Sequence, residues 1–374
     1  MILYEFEVKS ILEKLGVPVE PSCVVSSKND SSLLPCLKTI GPPFMVKAQV
    51  RGWGRGKRGL IIPAETEDDA VQAVKELFSS SYEGQQVRYV MVSRKVQVLK
   101  EYYLALMLDA DAQSILLLAS REGGIDVEEL AQQPGGLLLQ PVDPLVGLRG
   151  YMVRRVANYL GLETSEVSRI LNAMYTAFWK YNMILLELNP LALTEGGLIA
   201  IDRKAVIDDD ALQFNSDLAE FTVRFQEELS EVQRVSLREG FAVVEVGGGE
   251  LAVVGNGAGL TMATMDYVEQ AGGRPGLFLD LGGGASAERV EKALLLVMSL
   301  GKYNKVLLNI LGGITRCDEV ARGILRALDK SGGGHVKIVV RLSGFMEKEA
   351  RNLLESRGIR VFRTLEEAAK EVVS

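Results

Sequence analysis

Two apolar runs, ILLELNPLALT and LIAIDRKAV, are joined by EGG across residues 184–206, which predicts a β-hairpin. With the turn centred on Glu195 and Gly196, Asn189 faces Asp202 and Glu187 faces Lys204. Side chains alternate along a strand, so all four share one face of the sheet. An amide oxygen beside a carboxylate is a hard-oxygen pair of the kind that holds Mg²⁺ when phosphate supplies further ligands. Lys204 then partly neutralises Glu187 or meets a phosphate. The same pattern also suits a salt-bridged, solvated hairpin face, and a turn centred on the two glycines would change the pairing.

A second cluster is basic. PFMVKAQV (43–50) reads as a short strand carrying Lys47 and runs into RGWGRGKRG (51–59), a loop with four glycines and four basic residues. Glycines let backbone amides approach a phosphate, and Arg55 or Lys57 adds positive charge. Arg58 follows Lys57, so the loop is not of the Walker type, which needs Ser or Thr there. An ordinary edge lysine and a solvated loop fit the composition equally well.

Two further loops, DLGGGASAERV (280–290) and NILGGITRCDEV (309–319), each follow an apolar strand and lead into a helix. Unpaired N–H groups at such junctions can hold an anion. GNGAG (255–259) matches a dinucleotide fingerprint only in part, and its Asn256 could hydrogen-bond a ligand. Cys317 has no nearby histidine and reads as a structural thiol. His335, the one histidine, follows SGGG and opens a strand.

The elements that must position these residues change character near residue 240. Before it, helices at 4–15, 65–79 and 150–181 mix irregularly with strands. After it, apolar strands alternate with helices at 259–271, 286–300, 318–330, 346–356 and 365–373, the pattern of a doubly wound parallel sheet. The expected fold class is therefore α/β and α+β multidomain, with a first region over 1–237 and a doubly wound one over 238–374. A chain of 374 residues is long enough for both.

Composition excludes several roles. Forty-nine acidic against 42 basic residues give a net charge of −7, a poor balance for binding nucleic acid through its backbone. No apolar run approaches 18 residues, so no membrane span is expected, and the N-terminus does not read as a secretory signal. Cys23, Cys36 and Cys317 are odd in number and scattered, which predicts neither a disulfide framework nor a metal site, and a cytoplasmic location.

The order of these motifs carries a resemblance. An opening helix followed by LGVPVE, then VKAQV…GRGK, LLELNPL…IDRK, VVGNGAGLTMATMD, FLDLGGGASAERV, NILGGITRCD and VVRL resembles the β-subunit family of succinate–CoA ligase along essentially the whole chain. The resemblance implies an ATP-grasp region followed by a flavodoxin-like domain that joins a companion α subunit, in an αβ or α₂β₂ complex. It implies Mg²⁺ at Asn189 and Asp202, and nucleotide phosphate at Lys47 and Gly54-Arg55-Gly56, with Glu101 also at the nucleotide. Glu187 would steady a phosphohistidine brought by the α subunit, which also holds most of the CoA. Asn256, Gly313, Ile314 and Thr315 would surround the succinate carboxylate. The implied reaction is succinate, CoA and ATP (GTP being the alternative) giving succinyl-CoA, NDP and phosphate, reversibly, a step of the tricarboxylic acid cycle. Ser93 stands where the family commonly has a glutamate, and Trp53 replaces a loop glycine. A ligase subunit for malate or another acid, and a non-catalytic nucleotide-binding regulatory subunit, are the alternatives.

Overall fold

The computed structural model describes every residue except 53, 55–57, 83, 126, 134 and 333–335. The chain divides into two compact units, Met1–Phe225 and Gln226–Ser374. The expected junction at 237/238 falls inside a helix, Glu231–Glu239, that packs within the second unit.

The first unit runs α1 (Glu5–Lys14), β1 (Ser22–Val25), α2 (Leu33–Ile40), β2 (Phe44–Gln49), β3 (Ile61–Ala64), α3 (Glu67–Leu77), β4 (Ser81–Tyr82), β5 (Gln85–Gln86) and β6 (Tyr89–Arg94). It continues with β7 (Lys100–Asp109), β8 (Ser114–Ser120), α4 (Val127–Gln132), β9 (Leu138–Val142), α5 (Gly150–Leu160), α6 (Thr164–Lys180), β10 (Met183–Thr194), β11 (Gly197–Ala200), β12 (Arg203–Ile207) and α7 (Ala219–Glu228), whose last turn enters the second unit. A four-stranded antiparallel sheet, β1-β6-β2-β3, is covered by the apolar sides of α2 and α3. Thr66 starts α3 with a capping box to Asp69, which satisfies N–H groups that the helix itself leaves open. The second antiparallel sheet, β11-β10-β7-β8-β9 with β12 also on β10, buries one face against α1, α5 and α6. Its other face carries a smaller cluster around Tyr103, Leu118 and Leu130.

One expectation fails in this unit. Cys23 on β1 and Cys36 on α2 form a disulfide, with a Cα–Cα distance of 6.3 Å. The chain folds back between strand and helix, and that brings the two cysteines within bridging reach. A spacing of 13 residues shows nothing of it. Cys317 is free and fully buried, and burial pushes its thiol above the ordinary range.

The second unit runs α8 (Glu231–Glu239), β13 (Ala242–Glu245), β14 (Leu251–Gly255), α9 (Ala258–Gln270), β15 (Pro275–Asp280), α10 (Ala287–Ser299), β16 (Lys305–Gly312), α11 (Cys317–Lys330), β17 (Lys337–Gly344), α12 (Glu347–Glu355), β18 (Val361–Phe362) and α13 (Leu365–Val373). The strand order is β13-β15-β14-β16-β17-β18, parallel except for the antiparallel edge strand β13. From β14 onward this is the 2-1-3-4-5 order of a flavodoxin-like sheet. One face packs on α10, α11 and α12, the other on α9 and α13. Taken in chain order, two successive strand–helix units would set the loops 282–284 and 312–314 at adjacent parallel strands. They stand at the carboxyl ends of β15 and β16, but β14 lies between those strands. The crossover after β15 passes to the far side of β14, which a linear pattern of alternating elements does not reveal.

Among the described residues no helix is long and apolar enough to cross a membrane.

Candidate functional site

The hairpin has the register that its turn spacing predicts. Thr194 pairs with Gly197 around Glu195-Gly196, Leu191 with Ala200, Leu188 with Arg203 and Glu187 with Lys204. Asn189 donates its N–H to the Asp202 carbonyl at 3.0 Å, so these two residues also stand opposite each other.

The alternation around them is broken. Leu186 and Leu188 face the main core, and so do Leu191 and Leu193, three residues further on rather than two. On the return strand, Leu198 and Ala200 face that core, and so do Ala205 and Ile207. Asn189-Pro190, a cis peptide, and Ile201-Asp202 are thus the two matched places where the strands slip by one residue. The return strand breaks there into β11 and β12.

The Asn189 amide is held at both ends, its Oδ1 accepting from the Gly124 N–H at 2.7 Å and its Nδ2 donating to the Ile125 carbonyl at 3.0 Å. Glu101 approaches the same loop, its Oε2 lying 2.5 Å from where a Cβ on Gly124 would stand, and the φ of +74° at that position favours glycine. Glu187 is buried, with Tyr103 Oη donating to its Oε2 at 3.4 Å and Lys204 Nζ pairing with its Oε1 at 3.2 Å. Asp202 Oδ1 accepts the Arg203 N–H at 3.0 Å.

Lys47 is buried. Its ammonium donates to Glu5 Oε1 at 2.8 Å and to the Ile201 carbonyl at 2.7 Å, one residue from Asp202. The strand lysine, the metal-type oxygen pair, Glu187 and Glu101 therefore gather around one stretch of β10 and its return strand. Gly54 is exposed at φ +72°, while Trp53, Arg55, Gly56 and Lys57 lie outside the described residues. Ser93 is buried in the middle of its sheet, with its hydroxyl 3.4 Å from the Met45 carbonyl.

The oxygen set fits magnesium. One carboxylate and one amide oxygen leave room for phosphate and water ligands, and an oxygen of either kind can accept more than one contact. Among the described residues no group of three or more His, Cys, Asp or Glu could hold a metal ion.

The second unit gathers a different set. Asn256 follows β14 and reaches across to the end of β16, its Nδ2 donating to the Leu311 carbonyl at 2.8 Å and to Thr315 Oγ1 at 3.1 Å, while its Oδ1 accepts the Leu311 N–H at 3.0 Å. The Gly284 N–H donates to the same Thr315 hydroxyl at 3.0 Å. The three loops are thus stitched together at the switch point of the sheet, where doubly wound folds bind ligands. Thr315 is buried, Gly313 is exposed and the Ile314 side chain stands 88 % exposed. The Asn256 amide and the Thr315 hydroxyl thus brace the loop, and the exposed 313–314 segment is what they present. His335 lies outside the described residues.

In the first unit, Glu5 contacts Lys47, Tyr103 contacts Glu187, Arg203 donates to Asp202 and Glu20 pairs with Arg203, and none of Glu5, Glu20, Tyr103 and Arg203 is singled out by sequence. The signal for Glu5 was present: it lies three residues before Val8 and seven before Leu12, on the apolar stripe of its own helix.

Residues 2–193 match the ATP-grasp domain family and residues 254–373 the CoA-ligase family. The β subunit of ADP-forming succinate–CoA ligase from Staphylothermus marinus is 40 % identical over 100 % of this chain and 98 % of its own. The chain belongs to the succinate–CoA ligase β-subunit family. A GDP-forming β subunit of that family, from Thermus thermophilus, is 38 % identical over 100 % of this chain and 98 % of its own. The solved ATP citrate lyase of Methanothrix soehngenii, in complex with citrate and coenzyme A, shares the fold at a TM-score of 0.77 and 17 % identity, over 98 % of this chain and 97 % of that one. Family membership accounts for the pairing of an ATP-grasp region with a flavodoxin-like CoA-ligase domain in one chain.

Proposed function

We propose that the chain is the nucleotide-handling subunit of a succinate–CoA ligase, working with an α subunit that brings a histidine and most of the CoA contacts. The γ-phosphoryl group of the nucleotide passes to that histidine, releasing NDP. A succinate carboxylate oxygen then takes the phosphoryl group and frees the histidine. CoA thiolate attacks the acyl carbon of succinyl phosphate, and phosphate leaves. Splitting one condensation into such covalent steps lowers each barrier.

In this reading Asn189 and Asp202 hold Mg²⁺, which when bound offsets the negative charge on the transferring phosphoryl group. Lys47, with Gly54, Arg55 and Gly56, holds the nucleotide phosphates, and Glu101 orients the nucleotide from the Gly124 side. Glu187, kept in place by Lys204 and Tyr103, receives the visiting imidazole and stabilises its charged form. In the second unit the Asn256-braced loop offers Gly313, Ile314 and Thr315 to the carboxylate substrate. ATP is the proposed nucleotide and succinate the proposed acid, in an αβ or α₂β₂ complex in the cytoplasm. That compartment must tolerate the Cys23–Cys36 bond.

The observation that carries this reading is the hairpin register, which sets Asn189 against Asp202 and Glu187 against Lys204 beside the lysine of β2. The test uses purified chain with γ-labelled ATP, Mg²⁺, succinate and CoA, first without and then with its α subunit. Succinyl-CoA and labelled α-subunit histidine are expected only in the second tube. Product or phosphohistidine in the first would overturn the division of labour, and no product with succinate in the second would overturn the substrate.

A further inference from the structure

We propose that Glu5, on the first turn of α1, is a positioning residue for the phosphate-handling side of the first unit: its buried carboxylate fixes Lys47 and Arg203 together and so sets the lysine beside Asp202. The inference rests on the reading of Lys47 as a nucleotide-phosphate contact.

Four charged side chains are sealed between α1, β2 and β12. Side-chain exposure is 1 % for Glu5, 2 % for Glu20, 9 % for Lys47 and 0 % for Arg203. Two acids and two bases balance, which is the condition under which charges survive burial. The connections are unequal. Glu20 pairs with Arg203, whereas Glu5 reaches both cations, Lys47 at 2.8 Å and Arg203 at 3.3 Å. Both cations also donate to one backbone oxygen, the Ile201 carbonyl, at 2.7 Å from Lys47 and 3.2 Å from Arg203. The residue after that carbonyl is Asp202, whose Oδ1 takes the N–H of Arg203 itself. One carboxylate therefore holds the lysine on one side of the strand break and the arginine that anchors its other side.

The same arrangement leaves chemistry available. An ammonium has three N–H donors. Two of those on Lys47 are engaged by Glu5 and Ile201, and the third has no partner among the described residues. A lysine on a four-carbon stem carries much rotamer freedom, and two fixed acceptors remove it before a phosphate arrives. Glu7, two residues on, pairs in parallel with Arg51 at 3.6 Å and with Arg224, so the first turn of α1 also anchors the residue that opens the basic loop.

The test compares variants within the assembled complex with the α subunit, reading KM for ATP, succinate and CoA together with kcat. Lys47→Met is expected to raise KM for ATP. Glu5→Gln should raise it roughly tenfold and leave KM for succinate and CoA unchanged. Glu20→Gln removes the same charge from the same cluster without touching Lys47 and should stay within about twofold. In the Lys47→Met background, Glu5→Gln should add almost nothing, the non-additivity expected of residues that act through one another. Should Glu5→Gln fail to assemble, Glu5→Asp keeps the charge but shortens the reach and should raise the same KM. A Lys47→Met effect with wild-type KM in the Glu5 variants would overturn this inference alone, as would equal effects of Glu5→Gln and Glu20→Gln. An unchanged KM for ATP in Lys47→Met would overturn the lysine reading and this inference with it.

Discussion

The two units build their candidate sites from opposite materials. The first uses full charges: the buried Glu5, Glu20, Lys47 and Arg203 in one cluster, and buried Glu187 against the partly exposed Lys204 in another. The second uses neutral donors, the Asn256 amide, the Thr315 hydroxyl and backbone N–H groups at strand ends. Fixed dipoles avoid the desolvation that buried ions suffer and suit an anion that merely has to be recognised. Formal charges are worth that cost where charge moves during the reaction, because preorganised charge in a dry site then acts on the transition state. On the proposed function, the contrast is one between binding and transfer.

The largest expected effect lies on the transfer side. Asp202→Ala removes the one carboxylate of the proposed metal pair, and turnover of the complex should fall on the order of 10²-fold or more, with the unfolding midpoint little changed. Assays of succinyl-CoA formation beside thermal melts decide it. A fall in activity that merely tracks a fall in stability would break the comparison.

On the binding side, Thr315→Val leaves the Asn256 Nδ2 and the Gly284 N–H short of an acceptor. The second unit should lose about 1–3 kcal/mol, and KM for the acid should rise while KM for ATP holds. Thr315→Ser should restore both. Denaturant titration and steady-state kinetics on the same preparations measure the two halves of this expectation.

A covalent difference sharpens the contrast in stability. The disulfide belongs to the first unit only, and Cys36→Ser should lower that unit by about 2–3 kcal/mol. The native chain under reductant should unfold like the variant, and unfolding of the second unit should not move.

The smallest effect is in acid. Burial holds the Glu7 and Glu20 carboxyls of the first unit above their ordinary range, so their contribution is full below about pH 4.5 and fades as pH rises through the raised value. In the second unit, hydrogen bonds from Lys302 and from Arg316 hold Glu245 and Asp318 below theirs, so that contribution is present above the ordinary values and fades as pH falls. Over about pH 3 to 6 the two units should therefore move in opposite directions in separate windows, the first losing stability as pH rises above about 4.5 and the second as pH falls below about 4.5, and Glu20→Gln should flatten the first unit's drift. Unfolding midpoints followed across that range give the signs.

Much of the site was legible because local rules govern it. A two-residue turn sets strand register, so Glu195-Gly196 sufficed to pair Glu187 with Lys204. The helices after residue 240 follow from their periodicity, and Ala258–Gln270 and Leu365–Val373 lie where apolar spacing puts them. What stayed hidden depends on contacts between distant segments. Period-two reasoning treats a strand as uniform and misses the slip at Asn189-Pro190. Asn256 has the right chemistry for a ligand, yet its amide is engaged by Leu311, 55 residues away. The Cys23–Cys36 bond and the passage of β14 between β15 and β16 are likewise facts of folding back.

The matched slip in the hairpin bears on how this fold tolerates change in length. Strand hairpins commonly drift by insertion or deletion, each of which turns the side chains beyond it to the opposite face. Here both strands already carry the same offset, at Asn189-Pro190 and Ile201-Asp202, and the two offsets cancel so that Leu191 and Ala200 return to the core together. Losing one residue from a single strand would restore its simple alternation while turning the outer part of the hairpin away from its core. Only a coordinated loss on both sides would keep that core, and it would erase the break that sets Asn189 opposite Asp202. On the proposed function, a change in the length of this segment would therefore disrupt the metal pair, whereas exchange of one apolar residue for another of similar size would not.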